Sequence, residues 1–179
     1  MNAVFANDYL AAMRKAIEAV YRASDISELQ QAVKALERIA AAEQSKWEPH
    51  YYVAFGYIMM TNHEQDGARK DAYLDQAMTA IERAKLIAPV ESEVIALEGF
   101  IFMARLNVHP ESRGPELLPK AIQAFDKATV LNADNPRPIL LMARMQFGSA
   151  RFFGTSTAEA CTLLHKSLEK FETYSSANP

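Results

Sequence analysis

Ala77-Met-Thr-Ala-Ile81-Glu-Arg-Ala84 and Ala121-Ile-Gln-Ala-Phe125-Asp-Lys-Ala128 are one pattern written twice, 44 residues apart. Alanine holds the first, fourth and eighth places, a large apolar residue the fifth, and an acid–base pair the sixth and seventh. Steps of three and four put the alanines and the large residue on one side of a helix and the charges on another. A weaker copy, Ala160-Cys-Thr-Leu-Leu164-His-Lys-Ser167, follows 39 residues later. A second recurring stretch precedes each copy: Tyr52-Val-Ala-Phe-Gly56, Ile95-Ala-Leu-Glu-Gly99 and Ile139-Leu-Leu-Met-Ala143, whose last members are 43 and 44 residues apart. Glycine within a helix costs about 1 kcal/mol relative to alanine, so Gly56 and Gly99 at equivalent places imply a packing reason. Recurrence at this period is the mark of stacked helical units.

Working outward, the apolar steps and the stops at Pro89 and at Asp134-Asn135-Pro136 predict eight helices. They fall at about 8–23, 27–44, 48–61, 70–87, 91–107, 117–131, 136–148 and 157–174. Ser27 and Thr157 read as N-caps. Period-two alternation is absent, so the expected fold is all-α: a right-handed α-solenoid of antiparallel hairpins in a single domain spanning 1–179. An N-terminal hairpin would take 8–46, followed by repeats at 47–90, 91–135 and, in degenerate form, 136–174.

The 179 residues are 50% hydrophobic and 23% charged, enough apolar content to build a core and too little charge for a disordered chain. A net charge of −3 argues against a nucleic-acid surface or docking on anionic lipid. Cys161, the single cysteine, excludes an internal disulfide and reads as a buried, inert thiol among Ala160, Leu163 and Leu164. No run of about 18 apolar residues is present, so no membrane insertion is expected. As written the chain reads as cytoplasmic; small residues at Val4 and Ala6 would suit a periplasmic or envelope protein whose leader lies upstream of Met1.

These residues resemble the tetratricopeptide repeat family. Repeat one carries Gly56, Ala77, Ile81, Ala84 and Pro89; repeat two carries Gly99, Phe102, Ala121, Phe125 and Ala128; repeat three carries Ala143, Ala160 and Leu164. The usual repeat is 34 residues, and the surplus here is expected in loops between paired helices, at 62–69, 107–116 and 148–157. Ser112-Arg-Gly-Pro115, Pro119-Lys-Ala121, Phe152-Phe-Gly154 and Lys170-Phe-Glu-Thr173 further resemble a group of such proteins from Bacteroidetes-type bacteria, whose members carry an export leader and a longer C-terminal tail.

The resemblance implies a non-catalytic scaffold that binds a protein or peptide along the first helix of each pair. The corresponding groove residues are His50, Val53, Tyr57 and Met60, then Glu93, Phe100 and Met103, then Arg137, Arg144 and Phe147. Methionine and tyrosine suit an adaptable peptide surface, and Arg137 with Arg144 could hold a carboxylate. Phe100, Met103 and Phe147 could equally be covered by the N-terminal hairpin or by a self-packed tail. A second surface is the loop rim, with Arg113, Arg151, Phe152 and Phe153, although the Phe pair is expected to tuck over the hairpin ends. His63, Glu64 and Asp66, and His109 with Glu111, lack the spacing of a metal site, so no metal, cofactor or catalytic residue is assigned. A structural module that associates with itself is the alternative.

Overall fold

The computed structural model describes the backbone of residues 2–174 and side chains from Asp8 onward. Met1 and 175–179, which carry the expected chain start and shortened tail, lie outside the described residues. The eight helices are α1 (Asn2–Arg22), α2 (Ile26–Ala42), α3 (Glu48–His63), α4 (Gly67–Ile87), α5 (Ser92–Val108), α6 (Pro110–Leu131), α7 (Pro136–Phe153) and α8 (Ala158–Thr173), and no strand occurs among the described residues. They form two compact units, Met1–Pro89 and Val90–Ser176, each of two antiparallel helix pairs.

Within the first unit α2 packs on α1 and α3, and α3 on α4; within the second, α5 packs on α6, α7 on α8, and α5 and α6 both meet α7. Each unit thus repeats one scheme, in which a new hairpin lays its first helix across the pair before it. The first core is closed by Met13, Leu29, Val33, Leu36, Ile58, Met60, Leu74 and Ile81, all at most 1% exposed. The second is built on Ile95, Met103, Phe125, Leu141 and Met145. Ala77, Ala84, Ala121 and Ala128 of the repeated pattern are all fully enclosed.

The two helical glycines mark close approaches, but toward different neighbours. A Cβ on Gly99 would lie 2.6 Å from the Phe125 ring, so α5 closely approaches its paired helix α6. On Gly56 it would lie 2.5 Å from Val33, on α2 rather than on the paired helix α4. Across the second unit, Ser92 donates to the Ala128 carbonyl at 2.8 Å, and Asn135 donates through Nδ2 to Ser92 at 3.0 Å. Ser167 similarly donates to the Pro136 carbonyl.

Three expectations need correction. The first is the surplus length, which forms helix rather than loop: 64–66, His109 and 154–157 are all that separate the paired helices. Pro110 takes the first helical position, where its missing N–H is not needed, and Glu116 and Lys120 pair at 2.7 Å further along α6. Pro115 and Pro119 then sit inside the helix on its exposed side. The second concerns α2, whose N-cap is Asp25, accepting from the Glu28 N–H at 2.8 Å, with Ser27 already helical. The third is Cys161, which is exposed because α8 turns Ala160 and Ser167 inward and the next residues outward.

Candidate functional site

Each unit carries its own cleft and its own share of the residues singled out above. In the first, His50, Val53 and Tyr57 on α3 face α2 and α4 across a cavity of about 580 Å3 that also meets Glu37 and Arg83. Tyr57 donates to Glu37 at 3.1 Å and stacks on Tyr73, with ring centroids 6.5 Å apart. Burial, then the Glu37 carboxylate and its hydrogen bond, push the Tyr57 phenol up to about 12. His50 is held below its ordinary value by burial first and by Arg83 second. Met60 is fully enclosed in the core, and Val53 nearly so.

In the second unit Glu93 and Arg137 turn to each other. Glu93 is buried, accepts from Arg137 Nη1 at 2.6 Å and accepts from the Tyr174 hydroxyl at 3.2 Å. Arg137 also lies 5.9 Å from the Tyr174 ring, so this trio ties α5, the start of α7 and the end of α8 together. Phe100 lies under the Arg144 guanidinium at 5.7 Å, and Phe147 under that of Arg151 at 6.0 Å. Arg113 donates to the Arg105 carbonyl at 3.1 Å, which satisfies an orphan acceptor at the end of α5.

Where α5, α6 and α7 meet, a second cavity of about 580 Å3 opens. Its lining joins Met103 and Arg144, assigned from sequence to the groove, with Phe152 and Phe153, assigned to the rim. Leu118, Pro115 and Met145 supply further apolar wall. Gly114 and Gly148 face it too, and a Cβ on either would meet nothing within 4 Å. The two phenylalanines do not tuck away: Phe152 is 57% and Phe153 71% exposed, edge to face with centroids 5.0 Å apart. Gly154 explains their position, because its φ of 68° ends α7 directly after them and leaves them on its last turn.

Sequence reasoning placed Gly114 and Pro115 on the rim beside Arg113, and missed Leu106, Pro110, Leu118 and Gly148 as parts of this cleft. Prolines at a helix start were the available signal, since Pro at the first position followed by acidic residues is a helix-opening signature. Among the described residues no group of three or more His, Cys, Asp or Glu could hold a metal ion, and Glu64 instead accepts the N–H groups of Gln65 and Asp66. Among the described residues no helix is long and apolar enough to cross a membrane.

No family model matches the sequence, and no curated protein is similar to it in sequence. Comparison with solved structures gives two likenesses of unequal weight. The MamA protein of Desulfovibrio magneticus RS-1, from its residue 41 onward, aligns with 94% of this chain and 98% of its own at 18% identity, with a TM-score of only 0.41. The HusA haemophore from Porphyromonas gingivalis superposes with a TM-score of 0.81 at 23% identity, over 94% of this chain and 83% of that one. The chain therefore shares the all-helical repeat fold of HusA.

Proposed function

We propose that this chain is a non-catalytic binding protein of helical-repeat type, and that the cleft between α5, α6 and α7 holds its ligand. One observation carries the reading: Met103, Arg144, Phe152 and Phe153 line one cavity of about 580 Å3, within the usual range for a ligand pocket. Apolar walls and an exposed aromatic pair suit a ligand with a broad apolar body, and the Arg144 guanidinium, in a lining that also holds Glu111, offers a partner for a carboxylate.

A porphyrin is such a ligand, and HusA, whose fold this chain shares, is a haemophore, so porphyrins are the first class to try. Among the described residues lining the cleft there is no His, Cys or Tyr, the common axial ligands of haem, and the thioethers of Met103 and Met145 are the soft donors there. The ring would be held by enclosure and by Arg144 more than by its metal, so haem and metal-free protoporphyrin should bind comparably. The second reading is a peptide or protein partner, favoured by the large exposed area of Phe152 and Phe153, which could anchor an apolar segment.

Absorbance titration with haem and with metal-free protoporphyrin tests the first reading. Phe152→Ala/Phe153→Ala should weaken both by about tenfold or more, which is ~1.4 kcal/mol or above. Gly148→Leu, which fills open space in the cleft, should do the same. Binding that neither variant alters would move the ligand out of this cleft. If neither porphyrin binds, a mixed peptide array probed with both variants decides whether the cleft takes a peptide.

A further inference from the structure

Helix α8 is covered on only part of its circumference. Ala160 and Ser167 face inward against α7, while Cys161, Leu164, Leu168 and Phe171 form a stripe along its open side. Leu164 is 40%, Leu168 52% and Phe171 39% exposed. Intervals of three, four and three residues keep the four on one helical face. At 1.5 Å per residue the stripe runs for about 15 Å.

We propose that this stripe is a docking surface for a second copy of the same chain, with the two α8 helices packed antiparallel. The spacing itself argues for it. The 3-4-3 sequence of intervals reads the same in both directions, so a two-fold axis beside Lys166 sets Leu164 against Leu168 of the second copy and Cys161 against Phe171. Every apolar residue then meets another, as an isologous interface requires. Charge supports the same direction. In the antiparallel arrangement the two helix dipoles oppose and attract. Parallel pairing would instead set Glu172 beside its own copy.

One helical face on each side is less than the roughly 1,600 Å2 of a standard interface, so the dimer should be weak and governed by concentration. Sedimentation velocity of the full chain over a hundredfold concentration range should show monomer passing into dimer. Leu164→Glu/Leu168→Glu, at exposed positions, should remain monomeric with an unchanged circular dichroism spectrum. Direction is read from Cys161: under mild oxidation the native chain should stay unlinked, because the two thiols lie at opposite ends of the interface. Phe171→Cys should give a disulfide-linked dimer. A chain that stays monomeric throughout, whether or not its own terminal residues cover the stripe, overturns the proposal. So does dimerisation that survives Leu164→Glu/Leu168→Glu, or a native chain that links through Cys161 alone. Each of these readouts is independent of whether the α5–α6–α7 cleft binds a ligand.

Discussion

Two glycines in the second unit make opposite predictions from the same substitution. Gly99 faces the enclosed ring of Phe125, and an added Cβ would sit 2.6 Å from it, closer than packed atoms allow. Gly99→Ala should therefore cost about 1–3 kcal/mol despite its gain in helix propensity. Gly148, in the interior of α7, would place its Cβ in open space. Gly148→Ala should stabilise the chain by about 0.5–1 kcal/mol, because only the conformational term changes. Urea denaturation of the two variants against the native chain checks the sign of each. Gly99 was legible in the sequence because its repeat mate Gly56 shared its place; Gly148 had no mate and read as loop. Cys161 was misread for a related reason. A cysteine among alanine and leucines suggests burial, but on a helix packed on one side only, neighbours in sequence point in different directions.

At the scale of the element, α3 holds two groups whose titration should be felt in stability with opposite dependence on pH. His50 has a depressed value in the folded chain. On acidification the unfolded chain takes up the proton first, near 6.5, so the stability His50 contributes is present above that pH and is lost as the pH falls through its folded value. Tyr57 is the reverse: raised from 10.0 to about 12, it contributes stability below pH 10 that disappears as the pH climbs toward 12. Denaturation midpoints measured from pH 5 to 8 should fall on the acid side in the native chain and flatten in His50→Gln. Phenolate absorbance above pH 10 should show two late-titrating tyrosines, Tyr57 and the still more strongly raised Tyr9, and Tyr57→Phe should remove the earlier of the two. The extents of α3 and α6 show where periodicity stops being informative. The apolar steps end where the helices still continue, because Pro110, Gly114 and Pro115 line an open cleft and are not packed in the core, so no periodic apolar side chain marks them. Composition reads such a turn-rich stretch as loop, whereas backbone hydrogen bonding, such as the Arg113 N–H to the His109 carbonyl at 3.1 Å, carries the helix through it.

On the scale of the whole molecule, the repeat pattern was legible and its partition was not. A period of 43–44 residues is the same on both sides of Pro89, and nothing in it marks where one compact unit yields to the next. Each unit nevertheless closes a core of its own, so each should unfold as a cooperative block rather than as part of one. Trp47, the one tryptophan of the chain, lies in the first unit and reports on it alone, while far-ultraviolet circular dichroism reports all eight helices. Phe125→Ala should remove about 3–5 kcal/mol from the second unit, because it empties the centre of that core. Its dichroism melt should then begin well below that of the native chain, with Trp47 fluorescence changing only in a later step at the native midpoint. Leu36→Ala, in the first core, should bring the fluorescence change forward and leave a later dichroism step behind. If both probes move together in both variants, the two cores unfold as one, and the chain is a single cooperative array in spite of its two compact halves.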